Sequence, residues 1–229
     1  MTLAEQAIHL KLRRRRSRRG LKSGQRRRRD LPPLILMTDE VRLANPEAAV
    51  GALPRGSAVI FRHYRANDRR AIARRLAGIC RRRGLKLLIA GDVRLAIEVG
   101  AQGLHLPEYL ARRLACHRWG RRGSRPGWLI TVAAHSLPAL QRARRLGADA
   151  VLLAPVFATA SHPDTRPLGP LRFSAWAGQS PVPVYALGGV TAANAGRLAG
   201  SGAAGIAGIS GLSGAAVEVA VVDRKPSTG

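Results

Sequence analysis

Two cysteines, Cys80 and Cys116, are the only thiols in 229 residues. Each lies in an arginine-flanked helical segment, away from other metal-type ligands at useful spacing. That argues against a disulfide scaffold and a cysteine zinc site, and two lone thiols suit a reducing, cytoplasmic compartment. Long apolar runs are missing as well. No stretch reaches the roughly 18 residues of a membrane-crossing helix. The N-terminal segment has no apolar core behind its charges, as a secretory signal would. Acids are scarce: Asp and Glu total 13 against 39 Lys and Arg. Asp39, Glu40, Asp92, Glu108 and Asp164 fall near predicted strand ends, but no two form an evident magnesium pair. Mg²⁺ is usually held by one or two carboxylates beside phosphate oxygens. Lysine is scarce too, with 4 against 35 arginines. So lopsided a ratio reads as a bias of the whole chain rather than selection for one arginine contact.

What is present is a large apolar fraction, 46%, on a chain of net charge +26. The apolar content suits one α/β domain with a real core. The charge is densest in residues 1–30, where bases run from Lys11 to Arg29 without one acid. Like charges repel, so residues 1–30 read as a basic arm, disordered without an anionic partner such as nucleic acid, or else as a plain solvated tail. The basic body attracts phosphate-bearing ligands or nucleic acid, or is simply an arginine-rich helix surface in water. No membrane partner is expected. Residues 213–229 read as a weakly ordered tail.

From Leu31 to Leu212, short apolar runs alternate with helix-period segments. The predicted strands are Leu34–Met37, Ala58–Phe61, Lys86–Ile89, Gly103–Leu106, Trp128–Ala133, Ala150–Leu153, Val182–Leu187 and Gly205–Ile209. The predicted helices are Pro46–Ala52, Asp68–Arg82, Val93–Val99, Glu108–His117, Leu137–Leu146, Leu171–Ala177 and Thr191–Ala199. Such alternation predicts βα units and a parallel sheet. Eight strands in about 200 residues fit the lower end of the (β/α)₈ TIM barrel. An internal repeat agrees. Three helices end in Gly-Ala-x-small and run straight into a strand, at Gly100, Gly147 and Gly202. Glycine is the natural residue there because it takes φ > 0 without a Cβ clash.

In such a barrel the C-terminal strand ends carry the site. His63, His135 and His162 follow predicted strands two, five and six. They are expected to converge on one rim. His105 lies inside strand four. Histidine titrates near neutrality and moves protons. His135 is the strongest catalytic candidate, because Ser136 reads as an N-cap and the positive helix end favours the neutral, proton-accepting ring. Gly188-Gly189 after strand seven and Ile209-Ser210 after strand eight form a candidate phosphate grip, where bare backbone N–H groups approach an anion.

These motifs resemble the thiamine phosphate synthase family, which includes the thiazole tautomerases of the TenI type. The resemblance is carried by Ala134–Ser136, by Gly147–Gly169 (GADAVLLAPVFATASHPDTRPLG), by Ala186–Leu198 (ALGGVTAANAGRL) and by Gly91–Leu106. It implies a (β/α)₈ barrel that holds a small phosphorylated thiazole. Gly188, Gly189, Ile209 and Ser210 would grip its phosphate, and Arg62, His63, Ser136, Thr159 and His162 would line the substrate pocket. Synthases join an aminopyrimidine pyrophosphate to the thiazole and need Mg²⁺. Tautomerases shift a ring double bond without metal or other cofactor, with the histidine that matches His135 as acid and base. Here the synthase pattern is incomplete. Its Gln-Leu-Arg-acid-Lys stretch becomes Ile60-Phe61-Arg62-His63-Tyr64. Its two metal aspartates fall on Gly91 and Leu110, with Asp92 the one candidate that a shift by one residue would supply. Its pyrophosphate lysine after strand six falls on His162. The resemblance, less those ligands, points to a tautomerase, with a synthase or a non-catalytic phosphate-ligand or nucleic-acid-binding homologue as alternatives.

Overall fold

The computed structural model describes residues 1–17, 30–43, 45–115, 126–159 and 164–209. Eight parallel strands close into a barrel in sequence order: β1 (Leu34–Met37), β2 (Ala58–Phe61), β3 (Lys86–Ala90), β4 (Gly103–Leu106), β5 (Leu129–Ala134), β6 (Ala150–Leu153), β7 (Val184–Ala186) and β8 (Gly205–Gly208). Pairing of Leu34, Ile35 and Leu36 with Ile206, Ala207 and Gly208 closes the ring. The helices between strands are α2 (Pro46–Gly51), α3 (Arg69–Arg83), α4 (Val93–Glu98), α5 (Glu108–Ala115), α6 (Leu137–Arg145) and α7 (Gly169–Gln179). The fold is the expected (β/α)₈ barrel.

Strand periodicity of two divides the core into two layers. Ile35, Met37, Ala58, Ile60, Leu88 and Tyr185 point inward and fill the barrel. Their neighbours Leu34, Leu36, Val59, Phe61 and Leu87 point outward and pack under the helices. The strands read as continuous apolar runs because both faces are buried. Gly100, Gly147 and Gly202 all take positive φ, 66°, 68° and 78°. After α6 the Ala148 N–H donates to Ala143 O at 3.0 Å, and after α4 the Ala101 N–H donates to Ala96 O at 2.9 Å. This is one helix-ending device used twice, as the repeat suggested.

Two regions differ from expectation. The helix predicted over Thr191–Ala199 is reduced to a 3₁₀ turn, Ala195–Leu198. Asn194 explains it: its side chain donates to Gly189 O at 2.8 Å and accepts from the Thr191 N–H at 2.9 Å, so the first turn is spent on the loop. The larger correction concerns the basic arm. Its first part is an ordered helix, α1 (Leu3–Ser17), not a disordered chain. Thr2 and Glu5 form a reciprocal capping box: the Thr2 N–H donates to Glu5 Oε2 (2.8 Å) and the Glu5 N–H to Thr2 Oγ1 (3.3 Å). Leu3, Ala7 and Leu10, at helical spacing, are buried in the outer core. They lie against β1, β8 and the 3₁₀ turn. The charge run masked this short apolar stripe, and burial of two leucines outweighs a repulsion that begins only at Lys11. Residues 18–29 of the arm, Cys116 and the tail 213–229 lie outside the described residues. Among those described, no helix is long and apolar enough to cross a membrane.

Candidate active site

The C-terminal strand ends form the barrel mouth. Inward register continues past each strand, and this sorts the candidates. After β2, Ala58 and Ile60 face inward, and so does Arg62. Its backbone N–H donates to Thr38 Oγ1 (3.0 Å), its Nε to Thr38 O (3.0 Å), and its Nη2 to Asp39 Oδ2 (2.8 Å). Burial alone would raise the Asp39 carboxyl. Hydrogen bonds from the Arg42 side chain and from the backbone of Arg42 and Val41, together with the Arg42 charge, hold it well below the usual carboxylate range. Asp39 therefore stays ionised and fixes the Arg62 guanidinium over the mouth.

His63 is a correction. It has the opposite parity and lies behind the wall, 2% exposed, beside Phe61 with ring centroids 5.1 Å apart. Its Nδ1 meets Thr38 Oγ1 at 3.2 Å, and burial pushes its pKa below the ordinary value. It does not reach the rim, so the expected convergence with His135 fails for a reason of strand parity. Ser161, His162 and Ser210 lie outside the described residues. Thr159 sits in the loop after β6 and Ile209 just past β8, against the barrel's inner layer.

After β3 the geometry is unlike a cation site. A Cβ built on Gly91 would lie 3.8 Å from the Tyr64 ring, 3.9 Å from Leu110 Cδ2 and 4.0 Å from Pro107 Cδ. The two positions where a synthase would carry metal aspartates are thus neighbours in space, and here they hold no carboxylate. Asp92 cannot replace them as it stands. Its Oδ1 caps α4 through the Leu95 N–H (2.9 Å), and its Oδ2 pairs with Arg69 Nη1 (2.8 Å). Arg69 is held in turn by Ala90 O at 3.0 Å. Among the described residues no group of three or more His, Cys, Asp or Glu side chains converges as metal ligands would. With no carboxylate on Gly91 or Leu110, and Asp92 committed to α4 and Arg69, the described residues do not fit a bound magnesium held by one or two carboxylates.

His135 is at the mouth, two residues beyond inward-facing Ala133. Ser136 is the N-cap of α6, and its Oγ accepts the Ala139 N–H at 3.4 Å. His135 Nδ1 meets Glu108 Oε2 at 2.5 Å. The other Glu108 oxygen accepts from Arg112 Nη2 at 2.9 Å, with Arg142 Nη1 at 3.8 Å. Glu108 opens α5, the helix after β4, on the strand beside His135's own. Burial opposes its charge, yet hydrogen bonds from His135 and Arg112 and their charges bring its pKa below the ordinary value. Sequence reading placed Glu108 among the rim acids but not with His135. The pairing of Leu106 with Val132 brings these residues together across 27 positions of chain.

Two strands round the ring from His135 lies the glycine loop after β7. Gly188 and Gly189 take φ +90° and +65°. A Cβ on Gly189 would stand 2.2 Å from Ala158 O, and one on Gly188 would stand 2.9 Å from Pro155 Cα. The Gly188 carbonyl accepts the Phe157 N–H at 3.0 Å, and the Gly189 carbonyl accepts from Asn194 Nδ2. Among the described residues neither glycine N–H has a partner. Two unsatisfied N–H groups at a rim suit an anion.

Under the mouth, His105 faces inward and is 2% exposed, with Nδ1 at 2.9 Å from Thr131 Oγ1. Burial, helped by the Arg62 charge, pushes its pKa down to about 3. Between that value and 6.5 the unfolded chain takes up a proton that the native chain refuses. Stability is therefore intact above pH 6.5 and falls as pH drops toward 3, by about 2 kcal/mol from this group by pH 5. Urea midpoints for the protein and for His105→Gln at pH 7 and pH 5 test this, and the variant's loss should be smaller.

The family model described as thiamine monophosphate synthase matches residues 34–212. The thiamine-phosphate synthase of Bordetella avium is 34% identical over 175 residues, 72% of this chain and 77% of that protein. That of Chloroflexus aurantiacus is 34% identical over 161 residues, 66% of this chain and 70% of its own length. The solved thiamine phosphate pyrophosphorylase of Pyrococcus furiosus superposes with a TM-score of 0.62 at 25% identity, covering 77% of this chain and 85% of that one. With the barrel, the glycine loop after β7 and His135 after β5 all in the matched span, this chain belongs to the thiamine monophosphate synthase family.

Proposed function

We propose that the barrel binds a phosphorylated thiazole and shifts its ring double bond by proton transfer at His135, with no metal or other cofactor. The observation that carries this is the pair Gly91 and Leu110. These adjacent positions, where the family's synthases place their metal carboxylates, bear none, and Tyr64 and Pro107 surround them. The acid/base histidine is kept. The free N–H groups of Gly188 and Gly189 hold the phosphate, with Ile209 and Ser210 completing the grip. The ring then lies across the mouth toward His135. His135 Nε2 takes a proton from a ring carbon of the non-aromatic isomer and returns it to the carbon at the far end of the conjugated double bonds, while the electron pair moves to complete the aromatic ring. Positioning plus one general acid–base group suffices for this chemistry. Thr159 and Ser136 border the remaining pocket.

A second reading is the transferase. It is favoured by the names of the relatives, which are thiamine-phosphate synthases, and by Arg62, retained from the synthase pattern. One incubation separates the two. The protein is given the non-aromatic isomer of the thiazole phosphate alone, and separately with the aminopyrimidine pyrophosphate and Mg²⁺. The expected result is isomerised thiazole phosphate in both, unchanged by chelator. Robust thiamine phosphate production would overturn the metal-free reading, and saturable binding with no turnover would leave a non-catalytic homologue.

A further inference from the structure

We propose that Glu108 is the positioning residue of His135, holding Nδ1 so that Nε2 faces the substrate. The catalytic consequence rests on the tautomerase reading; the hydrogen bond and the tautomer it imposes do not. A carboxylate accepts hydrogen bonds and donates none. At 2.5 Å from Glu108 Oε2, His135 Nδ1 must therefore carry the proton. In the neutral ring this leaves the lone pair on Nε2, the nitrogen remote from Glu108.

The difference in exposure gives the pair its direction. The His135 side chain is 51% exposed and Glu108 only 13%. A half-exposed imidazole on a loop, left alone, rotates about its side-chain torsions and samples both tautomers. Glu108 is the fixed member. It follows Pro107, whose ring restricts the backbone just before it. Its second oxygen is tied to Arg112, one turn along the same helix, and faces Arg142 of α6. Among the described residues, those two guanidinium groups and His135 are the charged or titratable partners around the carboxylate. They account for both its oxygens, so Glu108 has little freedom to turn toward the substrate as a base itself.

During turnover the proton balance stays simple. Nε2 takes the ring proton, the imidazolium is stabilised by the carboxylate, and Nε2 returns the proton to the second carbon. The Nδ1 proton stays between His135 and Glu108 throughout. Such orienting carboxylates act on tautomer and on the charge that develops on the ring, not on substrate binding.

The test is long-range ¹H–¹⁵N correlation on full-length protein labelled at histidine, at about pH 9, where an ordinary histidine is neutral. His135→Asn assigns the signal. The protein should show the Nδ1–H form at His135. Glu108→Leu should shift it toward the Nε2–H form, and Glu108→Gln, whose amide oxygen still accepts, should largely keep it. In turnover, Glu108→Leu should lower kcat about 100-fold with KM for thiazole phosphate within about threefold, and Glu108→Gln should recover part of the rate. An Nε2–H ring in the unaltered protein, or a tautomer indifferent to Glu108→Leu, overturns the proposal whatever the turnover. If the tautomer responds and no isomerisation occurs, the tautomerase reading fails and the positioning contact stands.

Discussion

His135→Ala is expected to abolish isomerisation of thiazole phosphate, with a fall of about 10²–10⁴-fold in kcat. Among the described residues, the carboxylates and the histidine nearest His135 are engaged elsewhere. Glu108 is tied to Arg112, and Asp92 to Arg69 and the start of α4. His105 sits below the mouth, buried and held near Thr131. Affinity for thiazole phosphate should change by less than about threefold, because the phosphate is gripped by the loop after β7, two strands round the barrel from β5. A lost rate with retained binding is the signature of an interaction made only on the way to the transition state. Isothermal titration and single-turnover kinetics on the same preparation measure both. A variant that keeps more than about a tenth of the rate would remove His135 from the catalytic role.

Gly189→Ala should lose both binding and stability. The residue sits at φ +65°, and its Cβ would fall 2.2 Å from Ala158 O and 2.8 Å from Phe157 C. Those are backbone atoms of the neighbouring loop, so no side chain can swing aside to make room. Left-handed backbone costs a non-glycine residue about 1–2 kcal/mol, and forced overpacking adds about 1–3 kcal/mol. Moving the loop also moves the N–H groups that hold the phosphate. Affinity should fall at least about tenfold, equivalent to about 1.4 kcal/mol. Gly200→Ala is the control. Its φ is +79°, but a Cβ there has nothing within 4 Å. It should pay only the backbone strain and bind thiazole phosphate normally. Equal loss of affinity in both variants would mean that general destabilisation, not the loop's contact with phosphate, explains the effect.

The two predictions stand at opposite ends of legibility. Strand positions were readable because a barrel strand is a short apolar run, and β1, β2, β4 and β6 match the predicted ranges. Helix ends were readable where a glycine or a capping serine marks them, as at Gly147 and Ser136. The glycine loop was readable as a turn because two adjacent glycines after a strand take positive φ without strain. Less was visible where one signal covered another. The arginine run hid the capping box of Thr2 and Glu5 and the stripe of Leu3, Ala7 and Leu10. That stripe is short, yet its period is helical.

From local pattern alone, this chain determined its alternation of strand and helix, its eight-strand count and the place of His135 at a strand end. Those features depend on neighbours within a few residues, where periodicity and capping act. Tertiary structure alone decided the rest. It turned His63 to the outside by strand parity, committed Asp92 to Arg69, set Leu110 beside Gly91 and brought Glu108 to His135. Each of these depends on how adjacent strands register when the barrel closes. Register is set by packing summed over the whole core, and no single stretch of sequence carries it.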